Sequence, residues 1–134
     1  MEKQKVLIVE DAKLIRDRLT SALAHINDQI EIHTAIRLSE AVACYTNVHP
    51  HIIILDLSLP DGSGIRFLEN VKKETPGTIV IILTNFPFPQ VKKKCKLLGA
   101  DYFFSKENEF DEVINIVESI IHINPAKSEL HLEI

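Results

Sequence analysis

Six polar residues stand at the ends of short apolar runs: Glu10 and Asp11 behind Val6–Val9, Asp56 behind Ile52–Leu55, Thr84 behind Ile79–Leu83, and Ser105 with Lys106 closing the stretch from Asp101. Gathered in one crevice, three carboxylates repel one another, and without compensation at least one is driven to hold a proton. A hard divalent cation relieves that repulsion, and Mg²⁺ prefers one or two carboxylates completed by carbonyl, water and phosphate oxygens. With the amine of Lys106 adding positive charge, such a crevice suits a phosphoryl group whose oxygens gain charge in transfer. Asp56 is then the candidate nucleophile, because a carboxylate forms an acyl phosphate. Each acid alone has a plainer reading: Asp11 could cap a helix starting near Ala12, and Asp61-Gly62 has turn chemistry. The coincidence of suitable groups at four run ends is what favours chemistry.

These residues meet only if the runs are neighbouring strands. Val6–Val9, Ile52–Leu55 and Ile79–Leu83 are short, continuous and β-branched, as strands buried on both faces of a parallel sheet are. Ile30–Ala35 alternates instead, as a half-exposed edge strand does, and Asp101–Ser105 is the fifth candidate. Between them the period becomes helical. One face holds Ile15, Leu19, Ala22, Leu23 and Ile26, a second Leu38, Ala41, Val42 and Tyr45, and a third Ile65, Leu68 and Val71. Val91, Cys95 and Leu98 make a fourth, stopped by Gly99, and Phe110, Val113, Ile114, Val117, Ile120 and Ile121 the fifth. Five βα units in a row predict an α/β fold, a doubly wound five-stranded parallel sheet in the order 2-1-3-4-5. Ligands of such sheets bind at the carboxyl ends of the strands, beside the reversal between strands 1 and 3.

A chain of 134 residues accommodates one such domain, placed at 1–123, with 124–134 as a loose or docking tail. A hydrophobic content of 46% with 25% charged residues is that of a soluble globular protein, and no apolar run is long enough to cross a bilayer. The charged start and its four-residue apolar run do not make a signal peptide, so a cytoplasmic location is expected. A net charge of -4 argues against direct nucleic-acid binding. Cys44 and Cys95 lie in helical stretches without metal-site spacing and read as free thiols. The basic stretch "VKKKCK", Val91 to Lys96, reads as a solvated helix face, with docking by complementary charge to the acidic "ENEFDE" segment as the sharper alternative.

In order and at family-like intervals, "VLIVED", "IIILDLSLPDGSG", "IILTN" and "GADYFFSK" strongly resemble the response-regulator receiver domain of two-component signalling, from Val6 to about Ile123. The resemblance implies a (βα)5 flavodoxin-like, CheY-like fold acting as a stand-alone receiver. It implies that Asp56 accepts a phosphoryl group from a sensor histidine kinase or a histidine phosphotransfer protein. Asp11 would ligate Mg²⁺ directly, Glu10 mostly through water, and the Ser58 backbone carbonyl would complete the protein contacts around Asp56. Lys106 would pair with the phosphoryl oxygens, Thr84 would be the switch hydroxyl, and Phe103 the aromatic that turns inward with it. A downstream protein target, or a second copy in a homodimer, would read the surface of helix 4, strand 5 and helix 5. Such a domain catalyses only its own phosphorylation and dephosphorylation.

Three places depart from the family pattern. Glu107 follows the lysine where the family usually has proline, Asn85 stands where it favours a small residue, and "FPFPQ" runs from Phe86 to Gln90. Phe86 and Phe88 read either as a shield or docking surface beside the pocket or as packing under the loop. In this family the position of Phe86 and that of Ser58 influence phosphate loss, which predicts slow dephosphorylation here. Two other readings compete: a receiver-like binding module that works without phosphorylation, and a Mg²⁺-dependent phosphohydrolase. The latter is weakened because Ser58 occupies the place of its general acid.

Overall fold

The computed structural model describes residues 3–26 and 28–122. The elements alternate: β1 (Gln4–Val9), α1 (Lys13–Ile26), β2 (Ile30–Ala35), α2 (Leu38–Val48), β3 (Ile52–Leu55), a small hairpin of β4 (Ser58–Leu59) and β5 (Gly62–Ser63), α3 (Gly64–Glu74), β6 (Ile79–Thr84), α4 (Pro89–Leu97), β7 (Tyr102–Ser105) and α5 (Phe110–His122). The five longer strands form one parallel sheet in the order β2-β1-β3-β6-β7. Counting only those strands, this is the expected 2-1-3-4-5. The alternating segment Ile30–Ala35 is the edge strand its pattern predicts, and the central β3 is buried along its whole length.

Side chains of a strand point to opposite faces with period two, so each unbroken apolar run serves two cores. Leu7, Val9, Ile53, Leu55, Val80 and Ile82 pack on one face with Ala41 and Tyr45 of α2, Phe67, Leu68 and Val71 of α3, and Cys95 of α4. Val6, Ile8, Ile52, Ile54, Ile81 and Leu83 pack on the other with Leu19 and Leu23 of α1 and Phe110, Val113, Val117 and Ile121 of α5. Each fully buried aliphatic side chain contributes roughly 1.5–3 kcal/mol. The sheet is thus held rigid from both sides, which fixes where its carboxyl ends lie.

Local signals set the helix ends. Ser63 accepts the Ile65 N–H at the start of α3, Pro89 occupies the first turn of α4, and Gly99 beyond α4 takes a φ of +102° that favours glycine. One local reading is corrected and another extended. Val42 is 51% exposed, because the buried stripe of α2 is centred on Leu38, Ala41 and Tyr45 and Val42 lies beside it; Cys44 packs there instead. Asp61 does form the turn between β4 and β5, but its carboxylate also accepts the Leu38 and Ser39 N–H groups at 2.7 and 3.1 Å, capping α2 from a distant loop. Cys44 is partly buried and Cys95 buried, both as free thiols whose pKa burial pushes up. The expected tail 124–134, with Ile123, lies outside the described residues.

Candidate functional site

Backbone hydrogen bonds one residue beyond the regular ladder tie the carboxyl ends of β1 to β2, of β3 to β1 and of β7 to β6. Glu10 N–H donates to Ala35 O at 2.9 Å, Asp56 N–H to Val9 O at 3.0 Å, and Lys106 N–H to Thr84 O at 2.9 Å. The backbone therefore places the three side chains before they interact. Gly64 closes in behind: a Cβ there would stand 2.8 Å from Asp56 O, a distance real Cβ atoms essentially never show, so only glycine lets α3 start against β3. Gly64 N–H also donates to Leu57 O at 2.8 Å.

Lys106 reaches inward between two acids. Its Nζ lies 2.6 Å from Glu10 Oε1 and 3.0 Å from Asp56 Oδ2, and side-chain exposures are 6%, 2% and 6% respectively. The second Glu10 oxygen accepts the Ala12 N–H at 3.0 Å, and the second Asp56 oxygen accepts the Ser58 N–H at 3.2 Å. Burial pushes the Glu10 carboxyl above the ordinary carboxylate range, aided by the Asp56 charge and opposed by Lys106 and the Ala12 N–H. Burial opposes the charge on Lys106 too, but the two carboxylates outweigh it and hold the ammonium above the usual lysine value. Lys106 thus stays charged at neutral pH.

Asp11 stands at the mouth of the crevice, exposed, and Glu10, Asp11 and Asp56 each offer a carboxylate oxygen within 4.8 Å of the others. The set is hard oxygen, partly buried and open on one side, which fits a small divalent cation that keeps water and a phosphate oxygen among its ligands. Arg16, which sequence reasoning did not single out, holds this loop: its guanidinium donates to the backbone carbonyls of Glu10 and Asp11 at 3.1 and 3.2 Å. A basic residue one helical turn inside α1 was the only signal for it.

Thr84 is 1% exposed, and its Oγ1 accepts the Phe86 N–H at 3.1 Å. It shares a cavity of about 330 Å³ with Ser58 and Phe86. Phe103 pairs in register with Ile82, partly buried on the α4 side, and lines a separate hollow of about 170 Å³ with Lys92 and Lys96. Glu10, Asp11, Asp56, Ser58, Thr84 and Lys106 are thereby brought to one sheet edge, while Phe103 stands apart from the acids. Phe86 and Phe88 do not pack under their loop: they are 52% and 54% exposed, with ring centroids 6.3 Å apart. After Lys106 the loop is fastened by Glu109, which accepts the Ser105 N–H at 3.0 Å and whose own N–H donates to Ser105 O at 2.9 Å.

The family model described as the response regulator receiver domain matches residues 6–118. The transcriptional regulatory protein PmrA of Pectobacterium parmentieri is 31% identical over 130 residues, covering 97% of this chain and 58% of PmrA. The non-phosphorylated HemR receiver domain of Leptospira biflexa is 28% identical with a TM-score of 0.79, covering 89% of this chain and 94% of that one. The phosphorylated cyanobacterial phytochrome response regulator RcpA is 25% identical with a TM-score of 0.75, covering 90% of this chain and 93% of that one. Among the first curated relatives it matches, the chain spans between 27% and 58% of their length.

Proposed function

The chain belongs to the response regulator receiver domain family of two-component systems, and from that premise we propose that it accepts a phosphoryl group on Asp56. The observation that carries the reading is the buried Asp56 carboxylate held 3.0 Å from the charged Lys106, within reach of two further acids. The donor is a histidine kinase or a phosphotransfer protein. A new P–O bond forms to an Asp56 oxygen as the donor's P–N bond breaks, and the electron pair of that bond returns to the imidazole. RcpA, similar in fold and sequence, is described as phosphorylated, which supports the same chemistry here.

Glu10, Asp11, Asp56 and the backbone carbonyl of Ser58 would hold Mg²⁺. When bound, that ion neutralises the clustered acids and stabilises charge on phosphoryl oxygens. The chain's own groups do the rest. Lys106 exchanges its contact with Asp56 for one with the phosphoryl oxygens while keeping Glu10 as its anchor. Thr84, which lines a cavity together with Ser58, turns toward the new phosphate and gives up the Phe86 N–H. That release alters the loop leading into α4, and Phe103 moves into the space near Thr84 as the output surface of α4, β7 and α5 changes. A downstream protein, or a second copy of the chain, reads that surface.

Beryllofluoride with Mg²⁺ provides a test independent of any donor. Titration of the isotopically labelled chain should shift the amide signals of Ser58, Thr84, Phe103 and Lys106 only when both are present. Shifts that need neither Asp56 nor Mg²⁺, or none at all, would favour a binding module that works without phosphorylation.

A further inference from the structure

A groove runs along α4 on its α3 side. Two hollows of about 330 and 610 Å³ share Gly62, Ser63 and Ile65 and so run together, from Thr84 and Phe86 at one end to Leu38 and Leu98 at the other. Lys92 and Lys96 line the hollow over β7 on the opposite flank of the helix, whereas Lys94 lines this groove. Leu38, Ile65, Val91 and Leu98 pack against the core yet remain partly exposed here. A partner that covers them removes hydrocarbon from water.

More hydrocarbon stands at its edge. Among the described residues the exposed large hydrophobic side chains are Leu14, Val42, Phe86, Phe88 and Leu97, and three of these belong to α4 or to the loop leading into it. Phe86 lines the groove, and Leu97, 77% exposed, stands three residues beyond Lys94, one turn along the same side of the helix. Exposed apolar side chains that gather rather than scatter mark a surface that binds.

The charges in the groove indicate what covers it. Its two acids are already served: Asp61 accepts the Leu38 and Ser39 N–H groups, and Glu69 lies 3.5 Å from Lys73. Its two cations, Arg66 and Lys94, are exposed, and neither forms an ion pair among the described residues. In a chain of net charge -4 this is a local excess of unmatched positive charge. A guanidinium takes a carboxylate through two parallel N–H donors, and complementary charge fixes the register of a complex. We propose that this groove docks an acidic segment of a partner protein, whose apolar side chains cover Ile65, Val91 and Leu98 while its carboxylates meet Arg66 and Lys94. The inference is independent of phosphorylation, and it places the partner on the flank of α4 that faces away from β7.

Random peptides displayed on phage, selected on the full unphosphorylated chain and then synthesised, provide the probe. The inference expects the selected peptides to combine aspartate or glutamate with leucine, isoleucine or aromatic residues, and to shift the amide signals of Ile65, Arg66, Lys94 and Leu98. Arg66→Glu and Lys94→Glu should each weaken their binding several-fold, and Arg66→Gln and Lys94→Gln should weaken it by less. Lys13→Glu on α1, which packs on the other face of the sheet, makes the same change in net charge and should leave the affinity as it was. Equal affinity in Lys94→Glu and the natural chain, selected peptides without carboxylates, shifts confined to another surface, or no selected peptide would each overturn the inference. The same signals shifting as the chain is concentrated without peptide would put a second copy in the groove and overturn it as well.

Discussion

Lys106 holds a charge where burial opposes it, and it does so because Glu10 and Asp56 face it from two strands. Removing the amine leaves two carboxylates in a crevice with no counter-ion, a change that in buried pairs costs about 3 kcal/mol or more. Lys106→Ala should therefore lower the urea midpoint in chelator, and Mg²⁺ should restore part of the loss; a midpoint unchanged in chelator would contradict the pairing. Phe86 bears on the reverse step. Its ring is half exposed beside the cavity shared by Thr84 and Ser58, where it can obstruct an attacking water. Phe86→Ala should shorten the phosphorylated lifetime by about threefold to tenfold, equivalent to roughly 1 kcal/mol of barrier. A lifetime that stays the same, followed by the decay of phosphorylated protein in Mg²⁺ buffer, would leave the ring with a surface role alone.

At the scale of elements, the loop between β4 and β5 does two jobs: it follows the phosphoacceptor candidate and it caps α2 through Asp61. The Leu38 and Ser39 N–H groups hold the Asp61 carboxyl below its ordinary 3.8. A carboxyl depressed on folding contributes stability that is fully present above its unfolded value and lost as pH falls through the folded one. The stability gap between the natural chain and Asp61→Ala should accordingly be constant near neutrality and narrow below about pH 3.8, as denaturant midpoints across pH would show. A gap independent of pH would mean that the carboxylate is not the cap. This element also marks the boundary of what the sequence reveals. Strand ends were legible because a polar residue behind a β-branched run breaks a pattern that is itself local. Asp61 on α2 and Arg16 on the Glu10–Asp11 loop were not, because both bond backbone groups, and backbone groups carry no sequence signature. The exposure of Val42 escaped, and that of the Phe86–Phe88 pair was one of two open readings, for a related reason: hydrophobicity predicts burial only where the fold supplies a face to bury against.

Over the whole molecule, a parallel sheet packed on both faces carries its acids at one edge, and charged helices flank it elsewhere. Lys92, Lys93, Lys94 and Lys96 of α4 are exposed, as are Glu107, Glu109, Asp111 and Glu112 around the start of α5, so the two helices that flank the edge strand β7 carry opposite signs. Complementary charge of this kind sets register and encounter rate more than affinity. Replacing Lys92 and Lys93 by glutamate should slow association with a partner or a second copy, most at low salt, in a kinetic binding assay; an unaltered rate would make the lysines a solvated face. The central claim concerns Asp56, and intact mass after incubation with acetyl phosphate and Mg²⁺ tests it most directly. One phosphoryl adduct is predicted, absent with chelator and absent in Asp56→Asn. An adduct that persists in Asp56→Asn, or none in a chain shown to bind Mg²⁺, would contradict the assignment.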